Sequence, residues 1–154
     1  MSGTPNLVAR FIREKDLLFH SYRRVSREVI VKEVDCMEIV TMVVSSSPYG
    51  DERIWNALRL AEALSCSSPE MKVNIFLIGD AVSAAKKGQK PPKGFYNLEK
   101  MLADLVKIGA TVNVCHTSMN LRGLAEEDLV AGARMGTITG LSKWIEKSQK
   151  VLSF

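Results

Sequence analysis

The feature that most constrains this chain is a rhythm in its apolar residues. Short runs of β-branched residues alternate with segments whose apolar positions recur every three or four residues. Ile39-Val40-Thr41-Met42-Val43-Val44 is almost wholly apolar, the composition of a strand buried on both faces. Ile54, Ala57, Leu58, Ala61 and Leu64 then fall on one helical stripe. They predict an amphipathic helix over residues 51–65, with Asp51 and Glu52 at the positive end of its dipole. Ser67-Ser68-Pro69 breaks the chain, and residues 73–78 repeat the strand pattern up to Gly79-Asp80.

The alternation continues to the end. Residues 81–87 read as a short helix and 88–94 as a loop holding two prolines. Leu98, Met101, Leu102, Leu105 and Val106 predict a further helix that Gly109 closes. Thr111-Val112-Asn113-Val114-Cys115 reads as a strand and is followed by a polar loop to about Leu124. A helix over 126–134, another around Leu141, Trp144 and Ile145, and a strand over 151–154 complete the reading. Strands separated by helices predict a doubly wound α/β fold, because parallel strands need crossover connections that cover the sheet's faces.

Residues 1–36 do not share this rhythm. Leu17, Leu18, Tyr22, Val25 and Val29 sit at helical spacing, while residues 28–34 read equally well as a short strand. The division expected is an N-terminal extension over 1–36 and an α/β domain over 37–154. With 154 residues, 46% apolar and 25% charged, the chain has enough apolar sequence for one sizeable core.

Several functional classes are disfavoured. Lys and Arg number seven against five Asp and Glu within residues 1–36, and fourteen against twelve beyond. The charges are interleaved, so no stripe built for nucleic-acid phosphates appears. No apolar stretch approaches the ~20 residues of a spanning helix, and Glu14 and Asp16 interrupt any signal-like run. Neither nucleic acid nor membrane is an expected partner. Three widely spaced cysteines, Cys36, Cys66 and Cys115, suit a reducing, cytoplasmic setting rather than a disulfide framework. His20 and His116 are the only histidines, too few and too scattered for a metal site.

Ligand sites in open α/β sheets gather at the carboxyl ends of the strands. Three loops qualify there: 45–50, 79–94 and 115–124. Cys115 ends its strand with His116 and Arg122 close in sequence, and a cation or a helix N-terminus beside a thiol favours the thiolate. The competing reading is a small buried hydrophobe, and the residues alone leave the two level. Ser45, Ser46, Ser47 and Tyr49 form a turn that enters a helix, a place where amides and hydroxyls can hold an anion. An ordinary capped turn is the commoner meaning. Lys86, Lys87, Lys90 and Lys93 line a loop that reads as a lid, as an attractor of anions, or more simply as a solvated loop.

Taken in order, these residues resemble the DsrE/DsrF-like family, its YchN-like members most closely. The resemblance rests on Ser47-Pro48-Tyr49-Gly50, Asn56-Ala57-Leu58-Arg59-Leu60-Ala61, Gly79-Asp80-Ala81-Val82 and Gly88-Gln89-Lys90-Pro91. It continues through Val114-Cys115, Arg122-Gly123-Leu124, Gly136-Thr137 and Lys150-Val151-Leu152-Ser153-Phe154. It spans residues 37–154. It implies a three-layer α/β/α domain with a mostly parallel sheet of about five strands and assembly into homo-oligomers, often trimers or hexamers.

The resemblance also implies that Cys115 carries a persulfide. Arg122 and Gly123 would then stabilise a negative sulfur, with the serine turn, Tyr49, His116 and Lys90 lining the same pocket. Sulfur donor and acceptor proteins would be the partners, and no cofactor is needed. This chain departs from the family's common C-x-x-C by reading Cys115-His116-Thr117-Ser118, which disfavours a local two-cysteine redox cycle. The expected function is therefore sulfur relay or a sulfurtransferase-like activity. Its rivals are a non-catalytic homo-oligomeric module that binds a small anion or nucleotide, with Cys115 incidental, and more weakly a flavodoxin-like cofactor binder.

Overall fold

The computed structural model describes residues 37–68 and 70–154. The alternatives for residues 1–36, Cys36 among them, and Pro69 lie outside the described residues. Among the described residues, five strands form a single parallel sheet: β1 (Glu38–Val44), β2 (Met71–Leu77), β3 (Thr111–Cys115), β4 (Arg134–Gly136) and β5 (Lys150–Ser153). Their order across the sheet is β4-β3-β2-β1-β5. Helix α1 (Arg53–Ser67) follows β1, α2 (Leu98–Lys107) precedes β3, α3 (His116–Asn120) follows β3 directly, and α4 (Ile138–Lys147) links β4 to β5. A 3₁₀ segment, Gly79–Ala85, follows β2, and a 3₁₀ turn, Glu126–Asp128, precedes β4.

The order of strands explains the two covered faces. From β1 to β4 the chain steps in one direction across the sheet, then crosses back to place β5 beside β1. Right-handed crossovers put helices of the first run on one face and the returning helix on the other. Side-chain alternation along the strands agrees. Phe76 of β2 meets Trp144 of α4 edge to face, with ring centroids 6.1 Å apart. Thr41 Oγ1 lies 2.7 Å from Ser148 Oγ, just beyond α4. Ser148 donates to the Trp144 carbonyl, so the Thr41 hydroxyl is the donor to Ser148. The opposite parity, Val40, Met42, Val44, Val73, Ile75, Leu77, Val112 and Val114, is buried with Ile54, Leu58, Leu98 and Leu102.

Helix boundaries follow local chemistry. Asn97 caps α2 by accepting from the Lys100 amide, and Thr137 caps α4 by accepting from the Gly140 amide. Gly109 closes α2 as its sequence predicts, with Ala110 N–H bonded to the Leu105 carbonyl. At α1 the expectation is corrected: the helix starts at Arg53, so Asp51 and Glu52 precede the first turn. Asp51 accepts from the Arg53 amide at 2.8 Å and pairs with its guanidinium.

Two further expectations are overturned. Residues 126–134 do not form a helix; they contain only the 3₁₀ turn and the start of β4. Val130 N–H bonds the Ala85 carbonyl, and Lys86 bridges Leu129, so these backbone groups pair with the segment after β2 rather than with each other. Gly132 at φ +86° then turns the chain into β4. Conversely, the stretch after Cys115 that reads as a polar loop holds α3. Among the described residues no helix is long and apolar enough to cross a membrane.

Candidate functional site

Three chain segments meet at the carboxyl edge of the sheet, where β1, β2 and β3 end. Cys115 is the last residue of β3, pairs with Gly136 of β4, and is the N-cap of α3. Its side chain is 2% exposed. Cys115 is itself extended, and helical backbone runs from His116 through Leu121, so Ser118 and Arg122 follow the thiol by three and seven residues.

Ser118 and Arg122 tie this helix to the end of β2. Ser118 Oγ accepts from the Gly79 amide at 3.1 Å. Arg122 uses Nη1 to donate to the Ser118 carbonyl at 3.0 Å, and Nη2 to donate to Asp80 at 2.5 Å. The ion pair thus joins the segments after β2 and β3 at one carboxylate, with Ser47 of the loop after β1 close enough to bear on it. The Arg122 hydrogen bond, then its charge, holds the Asp80 carboxyl below the usual carboxylate range; slight burial opposes them and Ser47 adds to them.

Gly123 has a structural task in this arrangement. The Leu124 amide bonds the Met119 carbonyl, and the Gly123 amide bonds the Asn120 carbonyl. This is a Schellman cap with Gly123 at φ +62°, and the buried pair Met119 and Leu124 supplies its apolar contact. The cap ends the helix immediately after Arg122.

The remaining predicted residues divide into several places. Ser45 donates from both its amide and its hydroxyl to the Phe154 carbonyl, binding the loop after β1 to the end of β5. Ser46 is buried, and its hydroxyl finds no hydrogen-bond partner among the described residues. Tyr49 stacks on Tyr96, which stacks on Trp55, with centroid separations of 5.8 and 5.4 Å. Its hydroxyl donates to Gln89. His116 is exposed and shares a 3.1 Å hydrogen bond with Asn120, one turn along its own helix. Lys90 is exposed in the loop beside Gln89.

Asp80, Ser118 and Gln89 stand in motifs quoted from the sequence but were not predicted as site residues. Asp80 carried a signal, since it stands just beyond the carboxyl end of β2 in a segment already singled out as a crevice loop. Gln89 stands in the Gly88-Gln89-Lys90-Pro91 motif, but the role it takes is tertiary. It donates to the Ala84 and Lys86 carbonyls and accepts from Tyr49, while its amide binds Glu99. The lysine loop is therefore fastened at Gln89. Cys66 is exposed at the far end of α1, beside a groove of about 110 Å³ lined by Leu58, Met101, Leu105 and Ile108. Because α1 runs back along the sheet, that thiol lies at the edge opposite Cys115. Among the described residues no three His, Cys, Asp or Glu side chains converge as a metal-ligand set.

Comparison with known proteins matches the model of the DsrE/DsrF-like family to residues 38–154. The chain belongs to the DsrE/DsrF-like family. Protein YchN of Escherichia coli is 37% identical over 118 residues, covering 77% of this chain and all of YchN. An uncharacterized protein of Methanocaldococcus jannaschii is 38% identical over 114 residues, covering 74% of this chain and 97% of its own. The crystal structure of E. coli YchN aligns with TM-score 0.73 over 76% of this chain and 99% of that one. A protein of unknown function from Methanobacterium thermoautotrophicum shares the fold alone, with TM-score 0.59 and 12% identity over 76% of this chain and 98% of its own. The DsrE/DsrF-like fold accounts for the five-stranded parallel sheet and its two helical layers.

Proposed function

We propose that this DsrE/DsrF-like protein is a sulfur-relay or sulfurtransferase-like carrier that holds a persulfide on Cys115. The observation that carries the reading is the position of Cys115. It is a thiol at the carboxyl end of an inner strand and the N-cap of the short helix that leads to Ser118 and Arg122, which are bonded to each other.

The chemistry needs no cofactor. The Cys115 thiolate attacks the outer sulfur of a donor persulfide, R–S–SH. A new S–S bond forms at Cys115, the donor's S–S bond breaks, and the donor leaves as its thiolate with the bonding electron pair. An acceptor thiolate reverses the step. Arg122 and the amides of the strand-end loops stabilise the anionic sulfur, and Ser118 in place of a second cysteine keeps the persulfide from collapsing into a local disulfide. Since Cys115 is 2% exposed, loading requires local opening around the thiol, which suits delivery by a docked donor protein.

Assembly into a cytoplasmic homo-oligomer, trimer or hexamer, belongs to the same reading. Met135, Ile138, Ile145 and Val151 expose between 42% and 53% of their surface on β4, α4 and β5, an apolar set that association would cover. Sedimentation velocity tests that part, and a monomer at micromolar concentration would remove it. For the sulfur chemistry the experiment is intact mass after brief exposure to a persulfide donor, on the wild type and on Cys115→Ser. A gain of one sulfur, ~32 Da, in the wild type only is expected. An adduct equally present in the variant, or none at all, would leave the crevice as an anion- or nucleotide-binding module with an incidental cysteine.

A further inference from the structure

Asp80 stands where an anion's oxygens would stand. Arg122 Nη2, from the segment after β3, donates to its carboxylate, which stands in the segment after β2. The Asp80 side chain is 61% exposed and that of Arg122 30% exposed. The carboxylate therefore lies on the solvent side of the guanidinium and can turn into water without stranding a buried charge. Arg122 cannot turn away as easily, because its Nη1 is held by the Ser118 carbonyl at 3.0 Å. Ser118 is itself buried and fixed to Gly79. One partner of this ion pair is anchored and the other is displaceable.

We propose that Asp80 is a specificity-determining residue: its carboxylate is an internal competitor for Arg122, and the site admits a small sulfur oxyanion of the sulfate or thiosulfate class by displacing it. The inference rests on the reading of this crevice as the functional site and extends it to the class of anion. An Arg guanidinium offers charge-assisted N–H donors to the oxygens of a tetrahedral oxyanion. The competing carboxylate sets a threshold that a weakly bound monovalent anion does not pass. Removing the carboxylate also removes its repulsion of an incoming anion, so the sign of the effect separates a competitor from a structural clasp. Loss of a competitor tightens anion binding, and loss of a clasp weakens it.

The test is calorimetric titration with sodium sulfate at constant ionic strength on the full chain, as wild type, Asp80→Asn and Arg122→Gln. Asp80→Asn is expected to bind sulfate roughly fivefold more tightly than wild type, the scale of a lost exposed charge pair. Arg122→Gln is expected to bind none. Asp80→Ala repeats the measurement with a side chain that offers Arg122 no acceptor, and a thermal melt of each variant confirms that it is folded. Unchanged or weaker sulfate binding in both Asp80 variants would overturn the proposal, as would sulfate binding that survives Arg122→Gln. The titration contains no persulfide donor and the mass experiment no sulfate, so each reads its own step. A failed persulfide experiment and a failed sulfate experiment are thereby told apart.

Discussion

Replacing Gly123 by alanine tests whether the backbone sets the loop that carries Arg122. Gly123 sits at φ +62°, and a Cβ built there meets nothing within 4 Å. No clash contributes, so the whole cost is conformational. The left-handed region costs an L-residue about 1–2 kcal/mol, and alanine's stiffer unfolded chain offsets about 0.4–1 kcal/mol of it. The net loss is about 1 kcal/mol, which for a domain of this size lowers the melting temperature by about 4 °C. Gly123→Asn should lose roughly half as much, since asparagine enters this region more readily. Circular dichroism melts give the ordering, and amide exchange locates it. The Leu124 amide, bonded to the Met119 carbonyl at 3.0 Å, should exchange faster in the alanine variant than global destabilisation alone requires. An alanine variant that melts with the wild type would refute the capping argument and with it the structural reason for glycine directly after Arg122.

Three other outcomes follow from the same geometry. Gln89→Ala removes the acceptor of Tyr49 and the donor to two carbonyls, so limited trypsin digestion should cut faster after Lys87 and Lys93, whereas Lys90 is protected by the following Pro91; an unchanged cleavage rate would mean that the aromatic stack alone holds the loop. Cys66 is exposed and Cys115 is 2% exposed, so a bulky thiol reagent followed by peptide mapping should label Cys66 at least tenfold faster, and equal rates would show that the crevice opens freely. Arg122 lowers the Asp80 pKa in the folded state, so the stability this gives is present above the unfolded carboxylate value of about 3.9 and is lost as pH falls through the depressed folded value. Asp80→Asn should therefore flatten the acid limb of the stability curve below about pH 4, and an acid limb identical to wild type would show that the pair contributes nothing in solution.

Much of the fold was legible in the residues themselves. The runs at β1, β2 and β3, the stripes of α1 and α2, and the end of α2 at Gly109 are all local: periodicity and a turn residue suffice to mark them. So was the ordered set of motifs from Ser47 to Phe154 that marks the DsrE/DsrF-like family. The placement of Cys115 at a strand end followed from counting along β3. Residues 126–134 misled because Leu129, Val130 and the alanines around them are compatible with a helix, while their backbone partners, Ala85 and Lys86, lie some forty positions away. Three-residue β4 was invisible for the same reason, since a strand that short is defined only by the neighbour it pairs with.

The alternation of buried strands and amphipathic helices determined by itself that a parallel sheet would be covered on both sides, because hydrophobic period and crossover handedness are properties of the chain. Which strand lies beside which was decided by packing. The return of β5 to β1, the reach of Arg122 to Asp80 across forty-two positions and the fastening of the lysine loop at Gln89 have no local cause. They arise because distant segments end at one edge of the sheet, where a charge, a hydroxyl and a turn that are neutral choices in sequence become partners in space.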